Sequence, residues 1–210
     1  FHPGDAREPL APWPVTLFVM LVSGFVVSEL CSEWKSAQAW FLWVPEEVAV
    51  RLGAAEYAGW IEGVWTLFVV PLAIWAVLGG MVVLARGASG VADAWRRMAI
   101  PLAVLIAVGH MAKGLAKFVS WIGFLPLAAQ DPAGIGAAQA LVAKTLAPPG
   151  SVLPMTAVCV LSLMMLLAGT YFTLREFRLA QGTTHRRFCL PTLVLAASFL
   201  FLVFGWGFLA

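Results

Sequence analysis

Three polar side chains, His110, Lys113 and Lys117, interrupt an otherwise apolar stretch of the sequence. Because they lie three and then four residues apart, an α-helix would place them on one face, within an arc of roughly 60°. An imidazole can accept or donate a proton near neutral pH, and a lysine ammonium donates hydrogen bonds to oxygen atoms. This face therefore predicts proton exchange with a polar group, or binding of one.

Two carboxylates, Glu29 and Glu62, lie in the neighbouring apolar stretches. Charges buried in apolar surroundings are tolerable only if carboxylates pair with ammonium groups, so we expect these residues to form one polar cluster. The expected site consists of Glu29, Glu62, His110, Lys113 and Lys117, with Trp65 and Trp121 as aromatic walls. Such a cluster either holds helices together or lines a site for a polar head group or a proton path.

The composition explains why these charges matter. Of the 210 residues, 61% are hydrophobic and only 11% are charged, and the mean hydropathy is +0.90. Soluble domains carry roughly 25% charged residues, so the chain is expected to be a polytopic membrane protein with the lipid bilayer as a partner. A net charge of only +2 without a basic run argues against nucleic-acid binding.

The apolar stretches predict an all-α fold, because backbone that faces lipid must satisfy its own hydrogen bonds. We expect about five transmembrane helices in a bundle, forming a single domain over residues 15–210 after a polar, Pro-rich leader at 1–14. The predicted spans are residues 15–32, 59–85, 98–127, 152–174 and 189–209. The sequence starts with Phe1 rather than Met, which suggests either a removed piece or part of a longer protein.

Shorter features are expected between and within the spans. The mixed apolar and charged segment 36–53 predicts a short interfacial helix that starts near Pro45. Pro71 lies inside the second span and predicts a kink there. Residues 131–150 contain several glycines and prolines and are expected to form a loop, with one amphipathic turn around 137–146.

Basic residues predict the orientation of the spans. With the N-terminus in the cytoplasm of a bacterium and the C-terminus outside its inner membrane, the inner loops carry most of the arginines. That side holds Arg7, Arg86, Arg96, Arg97, Arg175, Arg178, Arg186 and Arg187, whereas the outer side holds Lys35, Arg51 and Lys144. The polar cluster then belongs to the outer leaflet. The arginines between 175 and 187 could also contact anionic lipid or a cytoplasmic partner.

The cysteine and histidine content limits the cofactors. The three cysteines form no CxxC motif, so they predict neither an iron–sulfur cluster nor covalently attached haem, and we assign no metal ligand. A haem held by two histidines is disfavoured, because His2 lies in the leader and His185 in a loop. A haem held by His110 and a methionine is left open. A quinone site is easier to build from a His or Lys donor, a Glu proton acceptor and aromatic walls.

Several segments resemble the membrane-embedded bacterial polyferredoxins, which are similar to the nitrous-oxide-reductase regulator and to the quinol-oxidising polyferredoxin of periplasmic nitrate reduction. The resemblance rests on segments 59–65, 71–75, 101–117 and 126–134. The paired CxxCxxCxxxCP motifs that define those families are absent from this sequence. The resemblance implies a membrane part, or a subunit, whose clusters reside elsewhere and which exchanges electrons between quinone and a partner.

Three functions are compatible with these features. The leading hypothesis is a membrane subunit or anchor of a respiratory electron-transfer complex with other subunits as partners, in which the cluster contributes to an outer-leaflet quinol site. No residue is assigned a catalytic role, and any enzymatic role is that of a subunit of an oxidoreductase complex. The alternatives are a small transporter with an intramembrane polar relay and a purely structural subunit of a larger complex.

Overall fold

A computed structural model describes residues 10–209, so residues 1–9 of the predicted leader, with His2 and Arg7, lie outside the described residues. Regular secondary structure in the described part is entirely helical, which confirms the all-α prediction there. The α-helices are α1 (Trp13–Cys31), α2 (Lys35–Arg51), α3 (Ala58–Val64), α4 (Val70–Leu84), α5 (Val91–Trp121), α6 (Leu125–Gln130), α7 (Ile135–Val142), α8 (Met155–Gln181) and α9 (Arg186–Phe208).

Four helical stretches are long and apolar enough to cross a membrane, which supports a membrane location. They are Trp13–Cys31, Ala55–Leu84, Val91–Gln130 and Met155–Phe208. The last stretch contains both α8 and α9, joined by the 3₁₀ turn Gly182–His185. Phe177 stacks on Phe188 beside this turn, and the Cys159 thiol donates to the Val203 carbonyl at the far end. These two contacts show that α8 and α9 run antiparallel.

Helices α1 and α5 run in the same direction and pack along their length. The Arg96 guanidinium donates to the carbonyl of Ala11 at 2.9 Å, just before the start of α1. Further along, Gly109 allows close approach, because a Cβ there would lie 2.9 Å from the Phe199 ring and 3.0 Å from Val26. The final turn of α1 therefore comes to lie beside residues 110–117 of α5.

The helix predicted to start near Pro45 begins at Lys35 instead, and Pro45 lies inside it. Proline has no N–H, so the carbonyl of Phe41, four residues earlier, loses its usual donor. The indole N–H of Trp65 replaces that donor at 3.0 Å. A satisfied carbonyl allows α2 to continue through the proline instead of starting at it.

A kink is predicted at Pro71, and in the structure a π-helical turn, Trp65–Val69, separates α3 from α4 just before this proline. Such turns widen a helix by one residue and often accompany proline. Here the turn presses against α1, since a Cβ on Gly24 would lie 2.1 Å from the Thr66 carbonyl oxygen. Only glycine fits at this contact.

Helix ends also differ from the predicted spans elsewhere: for example, α8 continues to Gln181 instead of ending at residue 174, and α9 begins at Arg186 instead of Cys189. The leader ends earlier than predicted, because Pro14 occupies the first turn of α1, a position where proline is tolerated. Helix α5 begins at Val91 rather than Met98, and Asp93 in its first turn accepts the Ser89 N–H at 2.9 Å. Within the predicted loop at 131–150, residues Ile135–Val142 form the short helix α7.

Candidate functional site

The polar stripe of α5 meets the end of α1, and the charged residues there separate into two sets. The first, called the closed set, consists of Lys113, Ser32 and Glu33. The second, called the open set, consists of Glu29, His110 and Lys117. Ser32 links the two sets, because its hydroxyl donates to the backbone carbonyl of Glu29 at 2.8 Å.

The closed set is an internally satisfied ion pair. Lys113 is only 3% exposed, and its ammonium donates to the Ser32 hydroxyl at 2.8 Å and to the Glu33 carboxylate. An unpaired ammonium at this depth would be penalised by several kcal/mol, so both partners are needed. The closed set therefore fastens the C-terminal end of α1 to α5.

The open set is paired but only partly enclosed. One carboxylate oxygen of Glu29 lies 2.7 Å from Nδ1 of His110, and the other lies 3.9 Å from Nζ of Lys117. The Glu29 side chain is 15% exposed, whereas those of His110 and Lys117 are 56% and 49% exposed. His110 and Lys117 therefore extend from the contact between α1 and α5 to the surface of the described part of the chain.

The contact with Glu29 engages one of the two ring nitrogens of His110. An ionised Glu29 accepts a hydrogen bond from Nδ1–H, which leaves Nε2 of a neutral imidazole as an acceptor. Within residues 10–209, no hydrogen bond reaches that Nε2 atom. With a neutral imidazole, the site presents an acceptor at Nε2 of His110 and a donor at Nζ of Lys117, both beside the same carboxylate.

An open apolar surface continues from the open set along α5. A Cβ on Gly114 would have no atom within 4 Å, so the surface between His110 and Lys117 is unobstructed. One turn beyond Lys117, Trp121 helps to line an apolar groove of about 650 Å³. The groove is lined by Phe118, Trp121, Ile122, Phe124, Leu125 and Ala128. A ligand with a polar head and an apolar body therefore fits this surface, with its head at the open set and its body in the groove.

Two residues expected at the site lie elsewhere. Glu62 is exposed on α3, which packs against α2, and no described residue forms an ion pair with it. Trp65 is occupied by its hydrogen bond to Phe41 instead of forming a wall of the polar site. Of the five polar residues expected at the site, Glu29, His110, Lys113 and Lys117 lie at the contact between α1 and α5, where Glu33 and not Glu62 is the second carboxylate.

Sequence reasoning missed Glu33 and Ser32 because they lie at or beyond the end of the predicted first span. One signal could have found Glu33, which follows Glu29 by four residues and would share its face if the helical path continued. That carboxylate lies opposite Lys113, whereas Glu29 lies opposite His110.

In the part of the chain that the structure describes, no group of three or more His, Cys, Asp or Glu residues is arranged to hold a metal ion. Comparison with protein-family models, with curated proteins and with solved structures finds no match for this chain.

Proposed function

We propose that the chain is an integral membrane subunit or anchor of a respiratory electron-transfer complex, and that its open set binds the head group of a quinol. One observation carries this proposal: the Glu29 carboxylate backs a half-exposed His110 and a half-exposed Lys117 on an open surface. The class of protein is proposed from the resemblance of segments 59–65, 71–75, 101–117 and 126–134 to membrane-embedded polyferredoxins.

The chemistry of quinol oxidation fits these groups. A quinol that becomes a quinone releases two protons and two electrons. Nε2 of His110 would accept one hydroxyl proton, and Glu29 would stabilise the imidazolium that forms. The second hydroxyl proton would pass to water at the half-exposed mouth of the site, and the Lys117 ammonium would stabilise the negative charge that this loss leaves on the second quinol oxygen. The electrons would pass to a redox centre in another subunit of the complex.

The proposed arrangement in the membrane has five crossings, with α8 and α9 counted separately. As one straight helix, the 54 residues of Met155–Phe208 would extend about 80 Å, far beyond a hydrocarbon core of roughly 30 Å. The arginines 86, 96, 97 and 187 lie at the end opposite the open set, which favours a cytoplasmic N-terminus and an outer-leaflet site. A phosphatase reporter that is active only outside the cytoplasm should therefore work after Lys144 and fail after Gly182.

The functional test is quinol-dependent electron transfer by the intact complex. His110→Ala and Glu29→Gln should each lower the rate by roughly 100-fold, the low end of what a positioned base contributes. Glu62→Gln is the matched control, since it removes a carboxylate outside the site and should leave the rate unchanged. Normal turnover by His110→Ala would reject the quinol site.

A structural role is a second candidate, and the closed set favours it because its charges are internally paired. Purification of the tagged chain in mild detergent separates the two roles. The respiratory proposal expects co-purifying subunits that carry redox centres. A purely structural subunit would retain partners after His110→Ala and would support unchanged electron transfer.

A further inference from the structure

The end of the molecule opposite the open set concentrates positive charge. Residues 84–97 and 175–190 together carry seven arginines but only two carboxylates, Asp93 and Glu176. Asp93 is engaged by Ser89 and by Arg97. Even if both carboxylates are paired, five arginine charges remain in excess at this end.

Two turns bring some of these arginines together although they are far apart in sequence. Arg86 follows α4, and Arg186 and Arg187 begin α9. A guanidinium N–H of Arg187 donates to the carbonyl of Arg86. The neighbouring Gly87 keeps the two turns close, since a Cβ there would lie 3.1 Å from that of Arg187. Arg86, Arg186 and Arg187, which are all exposed, are called the basic turns below.

Arg86 occupies a backbone position that favours glycine. Its φ is +57°, and α4 ends with hydrogen bonds from the Arg86 N–H to Val83 and from the Gly87 N–H to Val82, each at 2.8 Å. A helix that ends in this way normally has glycine at the left-handed position, because a Cβ is strained there. Lys144 has the same conformation after α7, so the indication of a ligand comes from the surroundings of Arg86 and not from its φ.

The surroundings of the basic turns indicate what they bind. Leu84, the last residue of α4 and two residues before Arg86, is 85% exposed, and Leu190 is 61% exposed one turn after Arg186. Apolar side chains therefore flank exposed guanidinium groups. Guanidinium groups bind phosphate oxygens in a bidentate manner, whereas exposed leucines accept acyl chains.

We propose that the basic turns bind the phosphate of an anionic phospholipid, with its acyl chains against Leu84 and Leu190. Arg86 and Arg187 approach the phosphate from two different turns, so the lipid would join α4 to α9. This binding is independent of the quinol site at the other end of the molecule.

The test measures thermal unfolding of the purified full chain in a zwitterionic detergent, followed by tryptophan fluorescence. Phosphatidylglycerol should raise the midpoint of unfolding, whereas phosphatidylcholine should not. The variant Arg86→Gly/Arg187→Gln should lose at least half of the phosphatidylglycerol shift. An unchanged shift in that variant overturns the proposal.

Two single variants separate lipid binding from backbone strain. Arg86→Gly should raise the midpoint without lipid by about 2 to 4 °C, because it relieves the strained φ. Its phosphatidylglycerol shift should nevertheless be smaller than that of the parent chain. Lys144→Gly is the matched control: Lys144 has a φ of +56° in the same kind of turn after α7. It should gain stability and keep the full lipid shift.

Inorganic phosphate distinguishes a lipid from a free anion. At the same phosphate concentration, phosphatidylglycerol should produce the larger shift, because its acyl chains contribute contacts with leucine. Equal shifts from inorganic phosphate and phosphatidylglycerol would overturn the lipid assignment. Equal loss of the lipid shift in Lys144→Gly would also overturn it, since that residue lies outside the basic turns.

Discussion

The closed set and the open set contain the same kinds of charged side chains one helical turn apart, yet their surroundings differ. Lys113 is almost fully enclosed and bonded to Ser32 and Glu33, whereas Lys117 is half-exposed and lies 3.9 Å from its carboxylate partner. Polar groups in lipid need partners, so a complete set stabilises the fold and an incomplete set has capacity for a ligand. The line of contact between α1 and α5 decides which role each lysine has.

The largest effect should come from breaking the closed set. Lys113→Met would leave the Glu33 carboxylate and the Ser32 hydroxyl without their donor, which should lower the free energy of unfolding by about 2 to 3 kcal/mol. Denaturant titration in detergent micelles measures this loss. The double variant Lys113→Met/Glu33→Gln should recover part of it, because no unpaired carboxylate remains. A Lys113→Met protein as stable as the parent would show that the closed set does not fasten α1.

A smaller loss is expected from Gly109→Ala, which tests the enclosed side of α5. The new methyl group would lie 2.9 Å from the Phe199 ring and 3.0 Å from Val26, so helices must separate slightly. Overpacking of this kind should lower the free energy of unfolding by about 2 kcal/mol. The same denaturant titration measures it, and no loss would indicate that this contact can adjust freely.

The open side of the same helix should respond in the opposite direction. Gly114→Ala places its methyl group where no atom lies within 4 Å. Because alanine favours the helix over glycine, this variant should gain up to about 1 kcal/mol. When both variants are measured in the same micelles, the same Gly→Ala change tests the enclosed face of α5 at Gly109 and its open face at Gly114. Equal destabilisation by both variants would contradict an open surface at Gly114.

The smallest effect on stability is predicted for Lys117→Met. A half-exposed ion pair at 3.9 Å contributes at most about 0.5 kcal/mol, so the unfolding curve should barely move. The proposed quinol site nevertheless requires its ammonium, so quinol-dependent electron transfer should fall. A variant that keeps its stability but loses turnover would show that Lys117 serves the ligand site whereas Lys113 serves the fold. A large loss of stability would show that both lysines stabilise the fold.

Much of this arrangement could be predicted from the sequence. Long apolar runs predict the all-α fold, and a spacing of three and four residues predicts that His110, Lys113 and Lys117 share one face. The spacing does not predict that the contact with α1 buries Lys113 but leaves His110 and Lys117 about half-exposed on the same face. Similarly, the position of Glu62 within its span predicts that it lies at the same depth in the membrane as the cluster. The side of the helix on which Glu62 lies depends on the packing of α3 against α2, and the sequence alone does not predict this packing.

The hydrogen bond from Trp65 to Phe41 has a consequence for how this protein can change in evolution. Any residue at position 45 that carries an N–H would compete with the indole for the same carbonyl. A substitution of Trp65 would in turn leave that carbonyl without a donor beside the proline. The two positions are therefore expected to co-vary: relatives should keep the proline and the tryptophan together or lose both.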